Sequence, residues 1–214
     1  MNKLDSISNL PYFSVQSLAT LFKTSSQVAR ITLSRWEKQD KVIRLKRGIY
    51  TSRQFVLKHR QQPYFYNLIA NIIQPFSYLS LDYILQLHGI LTEATYPITA
   101  ITTKNTAKIT NELGTFSYRH LKNQLYTGYQ TDKAAEISYH WANKGKALFD
   151  FLYLRPLPRS KQVKSYNLVE DLRLNLADFT QDEVSQLADY AKLANSNKMD
   201  FIINHLKKTV WHDL

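Results

Sequence analysis

The sequence predicts an α+β fold in two parts, a small N-terminal unit of helices closed by a hairpin and a larger unit in which strands are flanked by helices. Three observations point there. Apolar residues recur at helical spacing through the first forty or so residues and then give way to KVIRLKRGIYTS (41–52), a β-branched run with a glycine turn. From residue 64 onward, helical and alternating segments are interleaved, with no internal repeat and no low-complexity tract. Charge also changes along the chain. Of a formal net +11, residues 1–60 carry 12 Lys and Arg against three acids, a net +9, which leaves +2 for the remainder.

Taken in order, residues 3–10 predict a short helix stopped by Pro11, and 12–15 an extended piece. Residues 16–22 place Leu18, Leu21 and Phe22 on one helical face, and Lys23-Thr24-Ser25 reads as a tight polar turn. Thr24 or Ser25 is expected to cap the next helix, over 26–39, by accepting a bond from an orphan backbone N–H. In that helix Val28, Ile31 and Trp36 are expected to pack inward, and Ser26, Gln27, Arg30 and Ser34 to face out. The hairpin 41–52 follows, with the basic tip Lys46-Arg47-Gly48.

A helix, a short turn, a second helix with a polar outer face and a basic hairpin together predict a winged helix-turn-helix over residues 1–58. The concentration of positive charge selects a polyanion as partner, and double-stranded DNA fits the geometry. Gln27 and Arg30, with Ser26, are placed to read base edges, and Ser34 belongs to the same outer set. Thr24 and Ser25 would set the helix on the phosphate backbone, and Lys46 and Arg47 would anchor the wing.

Residues 53–63 read as a junction without linker composition, and 59–214 as one larger α+β domain. An apolar helix over 64–74 ends before Pro75, Ser80 opens another that stops at Gly89, and ITAITT after Pro97 is a strand. TFSYRHL, LYTGY and EISYHW are further strand candidates, and a helix over 143–153 stops before Pro156. Thr180 and Glu183 fit a capping box, and Met199, Ile202, Ile203, Leu206 and Val210 share a face of the last helix.

Composition narrows the function classes. There is no cysteine, so disulfides and thiolate metal sites are excluded. The N-terminal MNKLDSISNL lacks a signal-peptide apolar run, and no stretch reaches membrane-spanning length, so the expectation is a cytoplasmic protein. An enzyme would need convergent groups. His88, His120 and His140, with Asp82 and Glu93 near the first, lack metal-ligand spacing, and His88 reads as a packed, hydrogen-bonded residue. Asn143-Lys144-Gly145-Lys146 fails as a phosphate loop because no glycine stands five residues before Gly145 and Ala147 replaces the Ser or Thr. Lys144 and Lys146 then extend a basic surface or decorate a helix start. There is no dinucleotide fingerprint, and no cofactor or metal is expected. Aromatic residues such as Tyr64, Phe65, Tyr66, Tyr118 and Tyr126 read as core ahead of a base-stacking platform.

Four segments in order, RGIY (47–50), YLSLDYILQLHGILTEATYPITAITTKNT (78–106), GTFSYRHLKNQLYTGY (114–129) and ANKGKALFDFLYLRP (142–156), resemble the AbiEi antitoxins, the regulator half of abortive-infection toxin–antitoxin systems. The resemblance implies an N-terminal winged helix that binds repeats in its own promoter and represses the operon. It implies a C-terminal domain that counteracts a nucleotidyltransferase toxin of the AbiEii type without a stable complex. It also singles out Lys146 without assigning it a role. The alternative that the residues alone support is a stand-alone transcriptional regulator with a C-terminal interaction domain.

Overall fold

The computed structural model describes residues 4–92, 97–156 and 167–212. The chain is mixed α+β with two sheets. The expected first helix shortens to one 3-10 turn at Asp5–Ile7, which drives Ile7 fully inside. Then come β1 (Phe13–Ser14), α1 (Val15–Leu21), α2 (Ser26–Lys38), β2 (Val42–Lys46) and β3 (Ile49–Ser52). The three strands form an antiparallel sheet in the order β1-β3-β2. Ser14 and Ser17 exchange side-chain-to-backbone bonds at the start of α1, of 2.9 and 2.8 Å, which satisfies two orphan donors there. Ile7, Phe13, Leu18, Ala19, Ala29, Leu33, Val42 and Tyr50 close a small core.

Residues 53–63, expected as a plain junction, contain α3 (Arg53–His59), capped by Ser52, whose hydroxyl accepts from the Phe55 N–H at 2.9 Å. α4 (Phe65–Ile73) is apolar almost all round and is buried accordingly. After β4 (Ser77–Leu79) and α5 (Asp82–Leu87) come β5 (Ile98–Thr102), β6 (Ala107–Asn111), β7 (Gly114–His120), β8 (Tyr129–Ala134) and β9 (Ile137–Ala142). Four helices complete the described chain: α6 (Lys144–Leu154), α7 (Leu168–Asp171), α8 (Gln181–Ala194) and α9 (Asn197–Thr209). LYTGY, expected as a strand, supplies only the last residue of a 3-10 turn (Asn123–Leu125) and the first residue of β8.

The six strands run in the order β6-β7-β5-β4-β9-β8, with β5–β7 and β4–β9 parallel. Laterally paired residues share a face of a sheet. Leu79, Ala100 and Tyr118 are so paired, and the Tyr118 hydroxyl donates to Ala70 O of α4 at 2.8 Å. Tyr78, one residue from Leu79, donates to Asp150 of α6 at 2.9 Å. α4 and α6 therefore cover opposite faces, and α8 and α9 pack over α6.

Ser80 does not cap α5. Its hydroxyl is taken by Asp150 at 2.7 Å, and the helix starts two residues later, after Leu81 at φ +62. Thr99 holds this bend from both sides: its hydroxyl donates to Ser80 O and accepts from the Tyr83 N–H. Gly89, at φ +68, ends the helix region as expected, and the Thr180–Glu183 capping box is formed.

Candidate nucleic-acid interface

α2 is positioned by a narrow apolar strip. Ala29 and Leu33 are buried, Trp36 is partly buried, and the Trp36 ring meets Phe22 edge-on at 6.2 Å. Val28 and Ile31 are not inside as expected; they are 48% and 47% exposed. Positions i, i+4 and i+7 fall on one stripe of a helix, and the chain uses 29, 33 and 36 for it. Ser25, not Thr24, is the cap, accepting from the Val28 N–H at 3.2 Å. Thr24 lies inside the turn, its N–H bonded to Ala19 O at 2.9 Å, next to Lys23 at φ +49. Ser26 is half-buried and donates to Gln16 Oε1 at 3.1 Å, which ties α2 to α1. Gln27, Arg30 and Ser34 are exposed on the outer face.

The hairpin follows, with β2 packed against α2. Lys46 pairs with Ile49 across the turn, and a bulge lies between Arg44 and Lys46. Gly48 adopts φ +81, which favours glycine, and its carbonyl accepts from the Val15 N–H at 3.3 Å, fixing the tip against α1. Arg47 is exposed and Lys46 half-buried. Burial, and then the neighbouring Lys104, pull the Lys46 ammonium below the usual lysine range. β2 alternates between two environments. Val42 enters the small core, whereas Ile43 and Leu45 enter the large one.

That second face brings β6 alongside β2. Asn111 donates from Nδ2 to Leu45 O at 2.9 Å, and Arg53 pairs with both Asp40 and Glu112. Between the two strands runs a groove of about 740 Å3 whose lining includes Arg44, Lys46, Arg47 and Lys108, together with the acids Glu37 and Glu112. Lys104 lies over the exposed ring of Phe76 at 5.4 Å. So the larger unit adds cations to those of the hairpin, a feature that strand signals in the sequence missed because β6 was not recognised.

No family model matches the chain, and no curated protein matches it.

The residues weighed for enzymatic chemistry are scattered. His120 is exposed, with its ring 3.1 Å from Lys104 O, and His140 lies 2.9 Å from the Thr131 hydroxyl. The two strands that carry them are separated by three strand spacings, about 14 Å. His88 is exposed at the C-terminus of α5, not packed as expected, and lines a groove with Tyr64, Leu87, Tyr139 and Trp141. Glu93 lies outside the described residues. No group of three or more His, Asp or Glu that could hold a metal occurs among the described residues. Lys144 pairs with Glu183 at 2.8 Å, and Lys146 is wholly buried, so Lys146 does not extend a basic surface. No helix among the described residues is long and apolar enough to cross a membrane.

Proposed function

We propose that the N-terminal unit is a winged helix-turn-helix that binds duplex DNA, with α2 in the major groove and the β2–β3 hairpin as the wing. The observation that carries this reading is a capped helix with Gln27, Arg30 and Ser34 exposed, followed by a hairpin whose tip carries Lys46 and Arg47. Exposed polar and Arg side chains near a helix start reach base edges, and a basic tip meets phosphate. Ser25 and Thr24 set the turn that places the first backbone N–H groups of α2 toward the duplex, and Ser26 braces the helix against Gln16 of α1. A duplex lying along the hairpin meets Lys108 as well, since Lys108 lines the same groove.

The resemblance to the AbiEi antitoxins supports the rest of the reading: a cytoplasmic autorepressor of its own operon that counteracts a nucleotidyltransferase toxin without a stable complex. On inverted repeats two copies bind, with half-sites about one helical turn, roughly 34 Å, or a multiple apart. It is a reading of a binding protein without cofactor or metal, not of an enzyme.

The test is a gel-shift titration of the full chain with its own upstream region and with a random duplex of equal length, at two salt concentrations. Preferential binding that weakens with salt is expected. Equal affinity for both duplexes overturns promoter recognition.

A further inference from the structure

We propose that Val28 and Ile31 read thymine C5-methyl groups in the major groove, and so set part of the sequence preference of α2. The inference rests on the DNA-binding reading above. It starts from the side chains that the small core leaves out. At about 100° per residue, Ile31 lies roughly opposite Ala29, and Val28 about a quarter-turn to one side of it. Ala29, Leu33 and Trp36 fill the contact with the rest of the unit, so Val28 and Ile31 are 48% and 47% exposed beside Gln27 and Arg30.

Both residues stand in the first two turns of the helix. Val28 is in the first turn, where its backbone N–H is bound by the Ser25 cap. Its carbonyl accepts the Thr32 hydroxyl at 3.0 Å, in addition to the helix ladder. The first turns of such a helix are the part that enters a major groove.

The occupant of this apolar spot follows from what surrounds it. Arg30, Arg35 and Lys38 lie on the exposed side of α2, with Arg44 and Arg47 exposed on the hairpin. A second copy of the chain docked face to face would set these cations against their own kind. A polyanion is favoured, and the apolar group that a base pair displays in the major groove is the thymine methyl. Gln27 and Arg30 then supply polar readout beside it, Gln to adenine and Arg to guanine edges.

The experiment selects the preferred duplex of the full chain from a randomised pool and then replaces each thymine in it by deoxyuridine, which removes the methyl and nothing else. Affinities are read by fluorescence anisotropy. Wild type is expected to lose about fourfold for each contacted methyl removed. Ile31→Ala and Val28→Ala should lose similar amounts on the thymine duplex and no longer distinguish thymine from uracil at the position each contacts. Both sites are half-exposed, so unchanged urea midpoints should accompany the change. A selected duplex bound equally well with thymine or deoxyuridine overturns this inference alone. Variants that keep the wild-type discrimination overturn it too, as does a variant that only dissociates a dimer in sedimentation. If no sequence is selected at all, the inference falls together with the DNA-binding reading.

Discussion

Lys146 and Asp150 stand one turn apart on α6 with no solvent exposure, and their charged atoms are 2.7 Å apart. Burial works against charge on both, pulling the lysine down and pushing the aspartate up, and the pair opposes it. Four further groups support the pair: Tyr78 and Ser80 donate to Asp150, Lys146 donates to Leu125 O, and the Phe149 ring lies 4.7 Å from the ammonium. Removing one partner strands the other. Asp150→Ala should cost about 3–5 kcal/mol, and Lys146→Met/Asp150→Ala should recover part of it, because the orphaned ammonium is gone. Urea midpoints decide this; a double variant no more stable than the single one contradicts it. On the proposed DNA face, Arg30→Ala should weaken binding to the upstream region more than to random duplex. Lys46→Ala/Arg47→Ala should weaken both and lower the salt slope by up to about one unit per lost phosphate contact. Equal losses for the two variants on the two duplexes would remove the division of roles.

At the scale of elements, the start of α2 is decided by one side chain. Both Thr24 and Ser25 suit a cap, but the Thr24 N–H closes the turn onto Ala19 O while Ser25 is extended, at φ −73 and ψ 154, with its oxygen over the Val28 N–H. Ser25→Ala should cost about 1 kcal/mol of stability, and Thr24→Ala distinctly less. Thermal or urea unfolding separates them; the reverse order would place the cap one residue earlier. The same element shows why burial on α2 was misread. Valine and isoleucine at 28 and 31 look like a core stripe, yet alanine at 29 is the residue that lets α2 approach its neighbours, and a small residue carries little hydrophobic signal. On α5, Ser80 had the chemistry of a cap but a stronger partner, the buried carboxylate of Asp150, seventy residues away.

For the whole molecule, the hairpin and the larger unit share a core. Ile43 and Leu45 of β2, with Phe55 and Val56 of α3, belong to the large cluster, so a cut after residue 58 leaves these four apolar side chains without their partners. Residues 1–58 expressed alone should therefore unfold or aggregate, and the intact chain should unfold in one transition followed by circular dichroism and tyrosine fluorescence. A fragment with a sharp, independent transition would show that the shared core is dispensable. For the same reason the proposed antitoxin role is better tested on the full chain. Under that proposal, Arg30→Ala/Lys46→Ala/Arg47→Ala, altered on the proposed DNA face, should still rescue growth when the proposed nucleotidyltransferase toxin is expressed from a separate promoter. Loss of rescue would tie neutralisation to DNA binding.

The sequence by itself determined the local features: the α+β class, the polar turn before α2, the basic hairpin, the apolar α4 stopped before Pro75, and the capping box at Thr180 and Glu183. Each depends on residues within a few positions of one another, where periodicity, caps and turn chemistry act. Tertiary structure alone decided which face of α2 is buried, that Lys146 is an interior residue, and that β6 lies against β2. Those outcomes depend on partners far away in sequence, Leu125 for Lys146 and Leu45 for Asn111. The physical reason is that burial is a property of all the neighbours a side chain meets after folding, and a short window of sequence contains few of them.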